Sequence, residues 1–151
     1  MSVHASTNRW AYDDETALAP LSAPQTLAAS GASTDFISVD VLTSYWATGD
    51  VAQNLIIGVH VDVTAVAGTN PTAAFVVQVA PDTGAFGSPV SVGEVANAVG
   101  VGSFTIDVDR DDIINALGAN PTAGSLRLYA TLGGTSPSFT YVAYVSPVAG
   151  M

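Results

Sequence analysis

The stretch Leu126-Arg-Leu-Tyr-Ala-Thr-Leu-Gly-Gly-Thr-Ser-Pro-Ser-Phe-Thr-Tyr-Val-Ala-Tyr-Val145 decides how the chain is read. Leu126, Leu128, Ala130 and Leu132 alternate with Arg127, Tyr129 and Thr131, the period of a strand with one buried face. Gly133-Gly134-Thr135-Ser136-Pro137 is a cluster of turn formers. Phe139 to Val145 is rich in aromatic and β-branched residues, which suit a pleated surface. The three pieces together predict a β-hairpin.

The rest of the chain repeats this vocabulary. Gln25 to Ser30 reads as a short first strand, Gly31-Ala32-Ser33 as a turn, and Asp35 to Leu42 as a second strand with Ile37, Val39 and Val41 inward. Asn54 to Val66 is the clearest strand, with Leu55, Ile57, Val59, Val61 and Val63 on one face. Gly68-Thr69-Asn70-Pro71 reads as a turn and Ala73 to Ala80 as a strand with Phe75, Val77 and Val79 inward. Pro81 to Pro89 is a turn-rich loop before a brief edge strand at Val90 and Val92, and Glu94 to Val99 has room for one helical turn. Phe104, Ile106 and Val108 mark a further strand. Asp109 to Leu117 is the best helix, with Asp109 as cap, acids in its first turn, an apolar stripe of Ile113, Ile114 and Leu117, and Gly118 as its stop. Two G-x-N-P-T-A segments, 68–73 and 118–123, read as similar turns. Seven or eight short strands joined by turns predict an all-β domain, a jelly-roll β-sandwich being the first choice over a barrel.

Residues 1–24 differ from the body at 25–151. They hold Arg9, Trp10, Tyr12 and the acidic triplet Asp13-Asp14-Glu15, and Pro20 and Pro24 interrupt regular structure. They read as an extended arm with a short helical turn near Asp13 to Leu18. Such an arm either reaches a neighbouring subunit, with Trp10 and Tyr12 as anchors, or folds back on its own domain. Tyr45 and Trp46, within the loop Thr43 to Gln53, are either a contact surface or a plug over the end of the core.

Composition limits the function classes. The 151 residues carry 13 acids against three arginines, Arg9, Arg110 and Arg127, and no lysine, a net charge of −10. That balance opposes binding to nucleic acid or to an anionic membrane surface, both of which call for clustered cations. It favours solubility and repulsion between copies, or docking on a basic patch. There is no cysteine, hence no disulfide and no thiolate metal site. No signal peptide and no membrane-length apolar run is visible, so synthesis in the cytoplasm is expected. The two histidines, His4 and His60, lie far apart, and no Ser–His–acid set stands out, so the sequence predicts no catalytic residues, cofactor or metal. Asp107-Val-Asp109-Arg-Asp111-Asp112 begins like a calcium loop, but position 6 is Asp112 rather than glycine and position 12 is Gly118 rather than glutamate. It reads as an acidic cluster capping the helix.

Several segments, in order, resemble the capsid cement, or decoration, proteins of tailed phages. They are Gln25 to Asp40, Leu55 to Asp62, Phe75 to Asp82 leading into Phe86-Gly-Ser-Pro-Val90, and the ending Leu126-Arg-Leu-Tyr129 followed by Gly133-Gly-Thr135. The resemblance spans roughly residues 25–147. The longer arm and the helix at Asp109 to Leu117 depart from the pattern. The resemblance implies a jelly roll that binds the outer face of an icosahedral head as a dimer or trimer and clamps neighbouring major capsid subunits. Its partners would be the major capsid protein and itself, with Arg9, Trp10, Tyr12, Tyr45 and Trp46 the residues expected to dock. The rival readings are a carbohydrate-binding jelly roll, in which Tyr45 and Trp46 stack on sugars, and a low-copy head-completion or fibre-base protein.

Overall fold

A computed structural model describes residues 17–39, 56–81, 84–93, 95–118 and 124–148. Among them the fold is all-β with one short helix. The strands are β1 (Ala17–Ala19), β2 (Gln25–Leu27), β3 (Gly31–Ala32), β4 (Ile37–Ser38), β5 (Ile56–Ala80), β6 (Val90–Ser91), β7 (Ala96–Ala98), β8 (Gly102–Asp109) and β9 (Ser125–Val148). The helix α1 (Arg110–Leu117) joins β8 to the segment before β9.

β5 and β9 are the frame. They pair antiparallel along their whole length, from Ile56 opposite Val148 to Ala80 opposite Ser125. The predicted hairpin is therefore corrected. Leu126 to Leu132 does not fold back on Phe139 to Val145; both legs belong to β9, and each finds its partner in β5. Gly68-Thr69-Asn70-Pro71 is likewise no chain-reversing turn but part of β5.

The turn-forming residues make a corner instead. The register slips between Val63 and Ala65, between Ala67 and Thr69, and between Thr69 and Thr72. Left-handed backbone stands on both strands at this level: Gly68 at φ 114° and Asn70 at 51° on β5, Gly134 at 98° and Ser136 at 48° on β9. Extra residues of this kind bend a ladder and raise its twist without ending it. The two strands also approach closely. A Cβ on Gly68 would sit 2.7 Å from the Ser136 carbonyl oxygen, and one on Gly134 would strike the Asn70 carbonyl. Glycine is what the corner requires at both places.

The corner divides the sheet into two halves. In the first, β1 and β2 pair with the Phe139–Tyr144 part of β9, and β8 pairs with Ile56–Val63 of β5. In the second, β3 and β4 pair with the Ser125–Ala130 part of β9, and β6 and β7 pair with Ala73–Val79 of β5. The inner face is apolar in both: Ile57, Val59, Val61, Val63, Tyr141, Ala143 and Val145 in the first, Ala73, Phe75, Val77, Val79, Leu126 and Leu128 in the second. All belong to one buried cluster, so the sheet curls over on itself. The Phe75 ring, from the second half, meets Tyr141 at 5.3 Å and Phe104 at 5.4 Å, both from the first. Ile113 and Leu117 of α1 are buried in the same cluster.

The inward residues agree with the alternation read from the sequence. Besides the strand expected over Asp35 to Leu42, which among the described residues is strand only at Ile37–Ser38, three local expectations do not. Gly31-Ala32 is an edge strand on Tyr129 and Ala130 rather than a turn, and Ala96–Ala98 is strand rather than a helical turn. Ala17 and Leu18, placed at the end of a helical turn, are strand; Ala17–Ala19 are buried and pair with Tyr144 and Ala143. In each case a free ladder edge offers hydrogen bonds that outweigh weak local propensity. Asp109 stands at the helix N-cap as expected but makes no side-chain cap bond.

Candidate functional site

The residues expected to dock, Arg9, Trp10, Tyr12, Tyr45 and Trp46, lie outside the described residues, as do Val41, Leu55 and the whole loop Thr43 to Gln53. The side-chain chemistry that can be placed sits on the outer faces of the two halves and at the end opposite the corner.

On the outer face of the first half, His60 bridges three strands. Its Nδ1 shares a hydrogen bond with Thr105 Oγ1 on β8 at 2.8 Å, and its Nε2 one with Ser146 Oγ on β9 at 2.5 Å. Beside it the Ser103 hydroxyl donates to Asp62 at 2.9 Å, and the Leu21 N–H donates to the Tyr144 hydroxyl at 2.5 Å. Loss of hydration lowers the His60 pKa, an effect the nearby Asp107 carboxylate partly opposes. The imidazole is therefore held neutral, one nitrogen donating and the other accepting. His60, Thr105, Asp62, Ser103, Leu21 and Tyr144 line a groove of about 560 Å³.

The sequence pointed to no Ser–His set, yet folding brings Ser146 and His60 together across 86 positions. Acyl transfer would need more: a carboxylate orienting the other ring nitrogen and N–H donors converging on an oxyanion. Here Thr105 occupies Nδ1, and Gly58, His60, Thr105 and Ser146 stand in paired ladder. The geometry is that of a strut across three strands.

On the outer face of the second half, Arg127 is the centre. Its Nε donates to Gln78 Oε1 at 2.9 Å, and its guanidinium lies 4.3 Å from the Phe86 ring centroid and 5.5 Å from that of Tyr129. Phe86 meets Phe36 edge-on at 6.1 Å. Arg127 thus clamps the Phe86 turn onto β9 by stacking. The sequence reading singled out neither Phe86 nor Gln78 as its partners. They lie 41 and 49 positions away, and no local pattern announces a pairing at such a distance.

At the end opposite the corner, Asp107, Asp109 and Asp112 line a groove of about 760 Å³ with Asn115 and Gly93. Among the described residues no group of three or more His, Cys, Asp or Glu is arranged to hold a metal ion. No described helix is long and apolar enough to cross a membrane.

Comparison with protein-family models, with curated proteins and with solved structures gives no match in any of the three.

Proposed function

We propose that the curled sheet is a jelly roll and that the chain is a structural virion protein, a decoration protein bound to the outer face of an icosahedral phage head. The observation that carries the reading is the order of neighbours. One half runs β1/β2–β9–β5–β8 and the other β3/β4–β9–β5–β6/β7. The chain crosses between halves from β2 to β3, from β4 to β5, at the β5 corner, from β7 to β8, from β8 to β9 and at the β9 corner. That alternation between the two halves of the sheet supports a jelly-roll path. Fold alone does not give function, and the step to a decoration protein rests on the resemblance of residues 25–147.

In this reading the protein acts by binding and not by catalysis. A protein that recognises only the assembled lattice stabilises it by mass action, and many copies on one shell multiply the effect. The partners are the major capsid subunits. The net charge of −10 suits an exterior position, away from packaged nucleic acid. Synthesis would be in the host cytoplasm. The test is sedimentation of the purified protein with mature shells and with free capsid subunits. Saturable binding to shells at high copy number, and little to free subunits, is expected. Failure to bind shells would refute the decoration reading while leaving the jelly roll to be judged separately.

A further inference from the structure

We propose that Arg127 and Gln78, on the outer face of the second half, form a binding site for a small carboxylate with an apolar body. The inference rests on hydrogen-bond donors that the protein leaves without acceptors and is independent of the decoration reading.

One bond sets the orientation of both side chains. Arg127 stands opposite Gln78 in the β5–β9 ladder, and its Nε donates to Gln78 Oε1 at 2.9 Å. A guanidinium only donates, so the amide turns its oxygen toward Arg127 and its nitrogen away. Among the described residues neither side chain has a further hydrogen bond or ion pair. The terminal nitrogens of Arg127 and Nε2 of Gln78 therefore carry N–H groups with no acceptor there, and none of these nitrogens is sealed from solvent. Ser91 stands opposite Gln78 on β6, and its exposed hydroxyl adds a donor on the same rung and the same face. The only acceptor of the Arg127–Gln78 pair is already used, so what the pair offers is donors.

No acid of the sheet competes for them. β3, β4, β6 and β7 contain no Asp or Glu, and neither do Ala73–Val79 of β5 or Ser125–Ala130 of β9. Arg110, the other arginine among the described residues, stands in sequence between Asp109 and Asp111. A chain with 13 acids and three arginines thus keeps one described guanidinium clear of carboxylates.

The guanidinium is also held in place before any ligand arrives. Its Nε bond and the rings of Phe86 and Tyr129, 4.3 and 5.5 Å away, fix its plane. The rotamer freedom of a long side chain is then lost on folding and not on binding. Beside it lies apolar surface. Phe36 meets Phe86 edge-on at 6.1 Å and is 44% exposed, one of six large apolar side chains open to solvent among the described residues.

These features select the ligand. Donors without acceptors call for an anion. The planar fork of a guanidinium matches the two oxygens of a carboxylate. The net charge of −10 repels a dianion such as phosphate more strongly than a monoanion. The exposed Phe36 ring favours a carboxylate that carries an apolar or aromatic body over a bare one.

The test is titration of the nitrogen-15-labelled full chain with benzoate, acetate and phosphate at constant ionic strength, followed by NMR. The chain has three arginines, so their Nε–H signals are few enough to tell apart. Benzoate should move the Arg127 Nε–H and the Gln78 side-chain amide together and saturably, with a Kd of about 1–10 mM, and should bind tighter than acetate or phosphate. Gln78→Glu keeps an oxygen for the Arg127 Nε but sets a carboxylate where the free amide nitrogen was, and should weaken binding by at least about tenfold. Ser91→Asp, an exposed change on the same rung, should do the same. Thr64→Asp adds an equal charge on the exposed face of the first half and should leave binding unchanged. Circular dichroism checks that each variant is folded. A shift that never saturates, phosphate or acetate binding as tightly as benzoate, or benzoate binding indifferent to both Gln78→Glu and Ser91→Asp would overturn the proposal. So would binding of a capped peptide bearing one glutamate with none of benzoate, which would assign the donors to an acidic side chain of a protein partner.

Discussion

The two halves of the curled sheet have matching inner faces and different outer ones. Inside, both present valine, isoleucine, leucine and aromatic rings to one shared core. Outside, the first half carries hydroxyl, imidazole and carboxylate groups joined in short hydrogen bonds, and the second carries one guanidinium stacked between rings. The inner faces have a common task, to exclude water, and burial of apolar area does it without regard to partner. The outer faces hold their strands together through particular partners. Damage inside should therefore spread to the whole fold, and damage outside should stay local and graded.

Phe75→Ala puts the first statement to its hardest test. The ring is fully buried and touches Tyr141 and Phe104 of the opposing half. Its loss should cost about 3–5 kcal/mol, the range for a buried aromatic that leaves a cavity. Chemical denaturation followed by far-UV circular dichroism should show one transition at lower denaturant, and hydrogen exchange should quicken alike in β8 of the first half and β7 of the second. If exchange quickens in one half only, the halves unfold separately and the shared core is not what binds them.

The corner is the next largest effect expected. Gly134→Ala places a Cβ against the Asn70 carbonyl at a backbone angle that side chains rarely adopt. A loss of about 2–4 kcal/mol should follow from left-handed strain and overpacking together. Alanine for Gly100, which is open on all sides, should change stability little. Equal effects at the two glycines would mean that β5 and β9 are not pressed together at this level.

The corner is also where the sequence is hardest to read, for a physical reason. Gly133-Gly134-Thr135-Ser136-Pro137 supplies left-handed backbone, and both a hairpin and a bend consume it. What separates the two is where the flanking strands find partners, and those partners lie in β5, 47 to 86 residues away. The inward pattern was legible because alternation is local: Ile57, Val59, Val61, Val63, Phe75, Val77 and Val79 are buried as their spacing requires. The edge strands β3 and β7 were not legible, since two or three residues of Gly, Ala and Asn carry no pattern of their own. On the outer faces the residues themselves were visible, but not their pairing across 41 to 86 positions.

Arg127→Ala tests the second half's outer face. The change removes the Gln78 bond and both ring contacts, together worth about 1–2 kcal/mol for a half-exposed cation on aromatic faces. The loss should be local. Proteolysis or hydrogen exchange around Phe86 should rise more than in β8. Arg127→Lys should recover only part of it, because an ammonium cannot lie flat between two rings.

The first half offers the smallest effect and the one most readily assigned. Loss of hydration lowers the His60 pKa below its ordinary 6.5, so in the folded protein the ring releases its proton at a lower pH than in the unfolded chain. Below pH 6.5 the unfolded chain then binds more protons than the folded one, and stability falls as acid is added. Above pH 6.5 both states are neutral at this residue and the profile is flat. His60 is exposed and Asp107 attracts the charged form, so the slope should be shallow. The window ends near pH 5, below which carboxylates begin to titrate and obscure it. His60→Gln can still meet both hydroxyls with an uncharged amide, and should remove the slope between pH 6.5 and 5 while preserving most of the stability at pH 7.5. A slope unchanged in that variant would place the titrating group elsewhere and leave Thr105–His60–Ser146 as a strut without pH sensitivity.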